Sequence, residues 1–389
     1  MPPEIENQRP AFDRYSWQAF LAVVCDQKTA GTRGEGDPAG TWGGTRPAAF
    51  EGFKSNWELF HHGPIKDWDA MEDHNYSPCS SEPAARDQFL LASTSKFDVL
   101  QAGSEGALGI ALPAQNGTYV RYLTQYNKTS ADYISKVMRE HLHGKFDFPV
   151  GSVNIKSAWV EMKGHDSAKD PDPSLFHTRE AWIRDAGATG GCRKALFGLV
   201  GLHIVQKTKG RPRWIWSTFE HVNNAPDSDI CPPAPAGGPF TFHDGSCKTM
   251  EPSDNDVSQP PTKMINVWRT RRIDRKSTAP ANQEYRQKLS QSKWRNYRLV
   301  TTQWPIGNPP AGKAGDPEYS FPGKEGHPFA NVTMETFLQN APKTSCLGCH
   351  AQALTGDFVW SILLERPATM EPSLKLLRSV LENSGMLRK

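Results

Sequence analysis

The chain has 389 residues, of which 37% are hydrophobic and 10% aromatic, including 12 Trp and 18 Phe. This composition buries a core, has room for two or three domains, and excludes an intrinsically disordered chain. A formal net charge of +3 argues against a nucleic-acid partner, and no apolar run approaches the roughly eighteen residues of a transmembrane segment.

In chain order, "YSWQAFLAVV" sets Trp17, Phe20, Leu21 and Val24 on one helical face. A Gly-rich connector follows, and "AAFEGFKSNWELFHHG" resumes helical spacing. Residues 80–106 read as a surface excursion or linker. From about residue 117 the period falls to two. "GTYVRYLTQYN" reads as a strand or short helix, and "GSVNIKSAWVEM" as a strand alternating Val153, Ile155 and then Trp159 or Val160.

"GLVGLHIVQKTKGRPRWIWSTFEHV" reads as a hairpin turning at Lys209-Gly210. The spacing predicts Val200, Leu202, Ile204, Ile215, Ser217 and Phe219 on one face, and His203, Val205, Trp214 and Trp216 on the other. Both faces are apolar, so the hairpin is expected to be buried.

Residues 223–262 are Pro-, Gly- and Asp-rich and read as irregular. "TKMINVWRTRRI" reads as a strand, "NQEYRQKLSQSKW" as a helix, and "NYRLVTTQWP" as an extended segment. Toward the C-terminus "NVTMETFLQN" has helical spacing, Asp357 is placed to cap "FVWSILLER", and a last helix follows Pro372. The expected fold class is α+β: a β-rich antiparallel core with N-terminal helices and a C-terminal helical segment. The division is 1–110, aromatic-rich helix and loop; 111–325, β-rich core; and 326–389, helical.

Between the C-terminal helices stands "SCLGCH", residues 345–350. C-x-x-C-H is the attachment signature of c-type haem. Two thiols three residues apart reach both porphyrin vinyl groups from one helical turn, and the adjacent imidazole then ligates the iron. A thioredoxin-like dithiol would need a βαβ setting that is missing here. A zinc knuckle would need a second Cys/His pair, and neither His61-His62 nor His141/His143 has a cysteine nearby. Cys346 and Cys349 are therefore the expected haem anchors, with His350 as proximal ligand. Met370, just ahead of Pro372, is the leading candidate for the distal position, with His221 and His203 on the hairpin as alternatives. Met334 reads as core.

Thioether attachment implies an oxidising compartment, so the chain is expected to be periplasmic or otherwise exported, its leader absent from "MPPEIENQRPAFDRYSW". Among the five other cysteines, Cys231–Cys247 is the first pairing to consider and Cys25–Cys79 the second, with Cys192 left over.

"GLHIVQKTKGRPRWIWSTFEHVNNAP" and "NVTMETFLQNAPKTSCLGCHAQALTGDFVW", together with "SWQAFLAVV" and "AAFEGFKSNWELF", resemble uncharacterised bacterial exported proteins of the cytochrome c family. The resemblance spans most of the chain. It implies one covalent haem c through Cys346 and Cys349, with His350 on iron, and leaves the reaction open.

The first functional expectation is electron transfer with a redox partner protein. Lys343, Lys375, Arg378, Arg388 and Lys389 could form a docking rim. The alternatives are a haem enzyme of peroxidase, oxygenase or small nitrogen/sulfur chemistry, with Glu220 and His221 as candidate acid and base, or a haem-based sensor. On a regular strand, adjacent residues such as Glu220 and His221 point to opposite faces, so an enzyme would need a bulge there.

Overall fold

The computed structural model describes residues 9–28, 33–37, 39–70, 72–85, 89–91, 111–164, 169–184, 191–227, 240–246, 250–253, 255–256, 259–305, 330–339 and 346–364. These form an α+β structure around one antiparallel sheet of seven strands. The strands are β1 Lys54–Ser55, β2 Arg121–Tyr126, β3 Val153–Glu161, β4 Thr178–Arg184, β5 Cys192–Thr208, β6 Arg211–His221 and β7 Tyr297–Gln303. They pair in the order β1-β2-β3-β5-β6-β7, with β4 alongside the first half of β5. The helices are α1 Arg9–Val24, α2 Asn56–Leu59, α3 Lys128–Arg139, α4 Thr278–Lys288, α5 Cys346–His350 and α6 Ser361–Leu364. Among the described residues, no helix is long and apolar enough to cross a membrane.

The alternation along β6 and β7 divides the sheet into two differently covered faces. Ser217 and Thr302, a cross-strand pair, both bond Ser16 Oγ of α1 at 2.7 Å. On the same face Phe219 packs against Trp17 and Phe20, and Trp17 stacks on Tyr285 of α4. The helical face expected at the N-terminus is thus the one that covers the sheet. The neighbouring pair, Trp216 and Gln303, points the other way and meets the C-terminal segment: Trp216 contacts His350, and Gln303 Oε1 accepts from Leu347 N. Residues 330–334 cross this second face. Gly201 is required there, because a Cβ would stand 2.3 Å from Thr333 Oγ1.

The hairpin turns at Lys209-Gly210 as expected, with Thr208 opposite Arg211. An irregularity between Gln206 and Thr208 then slides the pairing by two residues, giving Leu202↔Phe219 and Ile204↔Ser217. A shift of two keeps each side chain on its face. A second irregularity, between Ala158 and Trp159 of β3, leaves Val200 of β5 without a partner there. Val200 consequently leaves the face of Leu202 and Ile204 and joins a separate cluster with Met334, a correction to the expected pattern. On β3 it is Trp159, not Val160, that shares the core cluster of Ile155.

Other expectations change as well. "TKMINVWRTRRI" contains no strand, only a single bridge from Arg269 to Asp227. "NVTMETFLQN" is reduced to a 3₁₀ turn over Thr336–Leu338, although Met334 is buried as expected. Asp357 caps nothing ahead of it; it ends the preceding 3₁₀ run Ala351–Gly356 in a left-handed conformation. Helix α3 was hidden within a region of period two, yet it has a local signature: Asn127 Oδ1 accepts from Ser130 N as N-cap, and Ala131, Ile134 and Val137 are buried at helical spacing. Cys79 pairs with Cys192 in a disulfide, not with Cys25, which is a buried thiol. Cys231 and Cys247 lie outside the described residues. The N-terminal region is tied into the sheet by β1 and by the buried Glu51, which ion-pairs with His177 and Arg179.

Candidate functional site

Cys346 to His350 form one helical turn, α5. Leu347 is buried and Cys346 half-buried against the main core cluster. The backbone of Cys349 belongs to this turn; its side chain is outside the described residues, as are Met370, Lys343, Lys375, Arg378, Arg388 and Lys389. His350 Nδ1 donates to the Phe358 carbonyl at 2.6 Å, and the Trp216 ring lies 4.3 Å from the imidazole, centroid to centroid. With Nδ1 as donor, Nε2 carries the lone pair, the tautomer a metal-binding histidine requires.

The Phe358 carbonyl reaches His350 because the chain reverses there. Asp357 and Phe358 both adopt positive φ, 55° and 66°. Each costs a residue with a Cβ roughly 1–2 kcal/mol, so the surroundings must hold the turn. Asp357 is fully buried. Its Oδ2 accepts from Lys207 Nζ at 2.6 Å and Phe148 N at 2.9 Å, and its carbonyl accepts from Trp214 Nε1 at 2.9 Å. Trp214 itself has φ 70° within the irregular stretch of the β5–β6 hairpin. That stretch re-aims both Trp214 and Lys207 at the turn. Burial raises the Asp357 pKa, with Lys207 pulling against it. The Lys207 ammonium, 3% exposed, also pairs with the exposed Asp147. Three left-handed non-glycine residues therefore meet at the turn that presents this carbonyl to His350.

The other candidates lie elsewhere. Glu220 and His221 face opposite sides of β6. Glu220 is fully buried between Arg269 and Arg298; burial pushes its pKa up, and the two guanidiniums more than reverse this to a net lowering. His221 stacks on Phe176 with centroids 3.7 Å apart, donates from Nε2 to the Leu175 carbonyl at 3.0 Å, and accepts at Nδ1 from Asn223 N. Burial lowers its pKa to about 3. The structure does not bring this pair together as an acid and base. His203 shares the Trp216 face of the sheet and sits 3.6 Å from the Glu335 carboxylate. Among the described residues, no group of three or more His, Cys, Asp or Glu side chains is placed to hold a metal ion.

Around α5 the sequence singles out neither Lys207, Gln303 nor Phe358, it marks Trp214 and Trp216 only as part of an apolar hairpin face, and it gives Asp357 a different role. No local signal ties them to this site: Lys207 and Asp357 are 150 residues apart.

Compared with known proteins, the chain matches no family model, no curated protein and no solved structure.

Proposed function

We propose that the chain is an exported monohaem c-type cytochrome working in electron transfer. Cys346 and Cys349 would hold haem c through thioethers, and His350 Nε2 would be the proximal iron ligand. The observation that carries this reading is the hydrogen bond from His350 Nδ1 to the Phe358 carbonyl. It fixes the tautomer and ring orientation of the one imidazole that directly follows a Cys-x-x-Cys turn.

The surroundings fit the group. Trp216 Nε1 and Gln303 Nε2 are buried donors without an acceptor among the described residues, and both side chains touch α5. Haem propionates are acceptors of the kind these donors lack. The Cys79–Cys192 disulfide fits the oxidising compartment that thioether attachment implies.

When bound, the haem supplies a one-electron ferric/ferrous couple. The chain's own residues hold and shield the ligand. Phe358 orients the imidazole, Lys207 and Asp357 fix the turn that presents Phe358, and Trp216 packs on the ring to keep water from it. The arrangement of Glu220 and His221 favours a carrier over a catalyst, because both side chains are committed to buried partners.

The chain should be exported from a host with c-type maturation machinery and weighed intact. One haem should remain bound after denaturation, and Cys346→Ala with Cys349→Ala should abolish it. Wild-type chain without haem, or covalent haem retained in the double variant, overturns the assignment. In His350→Ala the thioethers should survive while the ferric spectrum changes; an unchanged spectrum removes His350 from the iron.

A further inference from the structure

At the opposite end of the sheet, a cleft of about 510 Å³ opens between α4, the loop before it and β7. Among the described residues, four guanidiniums line it, those of Arg272, Arg275, Arg286 and Arg298, against one carboxylate, that of Asp227. Glu220 of β6 lies behind Arg298, four residues from the Trp216 that touches His350. That is about 13 Å along the strand, so this cleft and the α5 site are separate.

Its charges are not all balanced. Along one wall, Arg298 and Asp227, with Arg269 and Glu220 buried behind them, form two guanidiniums paired with two carboxylates. Arg286, half-buried on α4, is different. Its Nε donates to the Arg295 carbonyl at 2.6 Å, and its terminal amino groups have no carboxylate partner among the described residues. Its pKa is lowered, first by burial and then by the positive charges of Arg298 and Arg295. Arg275 stands exposed across the cleft, and Gln283 adds amide donors one turn before Arg286. A partly desolvated guanidinium held beside other cations is costly unless an anion joins it. The planar guanidinium fork pairs best with a phosphate or carboxylate. The cleft is roughly the size of a small-molecule site.

We propose that this cleft binds a small polyanion bearing at least two phosphate or carboxylate groups, one held by Arg286 and another by Arg275. The proposal stands independently of the haem assignment.

Isothermal titration of the full-length chain with pyrophosphate, citrate and acetate, at matched ionic strength, tests it. Pyrophosphate or citrate should bind at least about tenfold more tightly than acetate, and whichever is tighter identifies the phosphate or carboxylate source. Arg286→Gln and Arg275→Gln should each weaken that binding about tenfold. Lys194→Gln, which removes a positive charge from β5 outside the cleft, should leave it unchanged. Arg275 is exposed, so its variant remains informative even if Arg286→Gln fails to fold. Equal affinity for all three anions, or undiminished binding in the folded arginine variants, overturns the proposal. So does binding of poly-glutamate alone, which would make the cleft a docking surface for an acidic protein.

Discussion

His221 offers the sharpest test of the physical reading, because its buried environment has a measurable pH signature. Its ring is enclosed, stacked on Phe176, and bonded at both nitrogens in the neutral form. Burial lowers its pKa from 6.5 to about 3. In the unfolded chain the imidazole protonates below about pH 6.5; in the folded chain it stays neutral until about pH 3. The depressed pKa therefore contributes stability that is fully present above pH 6.5 and lost progressively as pH falls from 6.5 toward 3. The slope across that window is about 1.4 kcal/mol per pH unit, so between pH 7 and pH 4 the loss is on the order of 3 kcal/mol. His221→Gln removes this titration while allowing a side-chain bond to the Leu175 carbonyl. Urea unfolding of wild type and variant at pH 7, 6, 5 and 4 should give two curves that converge at low pH, the wild type falling more steeply. Parallel curves, or an NMR titration placing His221 near 6.5, would refute the buried neutral imidazole.

Two further perturbations address the rest of the frame. Lys207→Met leaves the buried Asp357 carboxylate with only the Arg213 guanidinium, 3.6 Å away, as a cationic partner and should cost about 1–3 kcal/mol in urea unfolding; in the haem-loaded protein it should also shift the reduction potential, since the Phe358 carbonyl loses its support. A loss under 1 kcal/mol would show that the left-handed turn does not depend on Lys207. Replacing Cys79 and Cys192 by Ala frees a loop of 113 residues, worth about 5 kcal/mol in the chain-entropy account. The double variant should unfold at markedly lower urea concentration, and the wild type treated with reductant should match it; a wild type indifferent to reductant would contradict the pairing.

Much of the fold was legible because it is written locally. The apolar periodicity of residues 15–24 and the alternation of the hairpin around Lys209-Gly210 belong to short stretches, and both survive in α1 and in β5–β6. Helix α3 was equally local, with its Asn127 cap, but lay within a region dominated by alternation. "TKMINVWRTRRI" has strand-like residues yet pairs with nothing beyond one bridge, since a strand needs a partner edge that no sequence stretch can supply for itself.

The candidate site divides in the same way. The sequence alone sets the spacing of Cys346, Cys349 and His350 on which the haem proposal rests, because thiol spacing and the adjacent imidazole are properties of five consecutive residues. Only the tertiary structure decided which imidazole nitrogen is held, through a carbonyl eight residues on and a lysine 150 residues from the aspartate it pairs with. It also separated Glu220 from His221 and placed each in its own buried pairing. The physical reason is that strand irregularities and left-handed residues set where side chains point. Their cost is met by packing and ion pairs from distant parts of the chain.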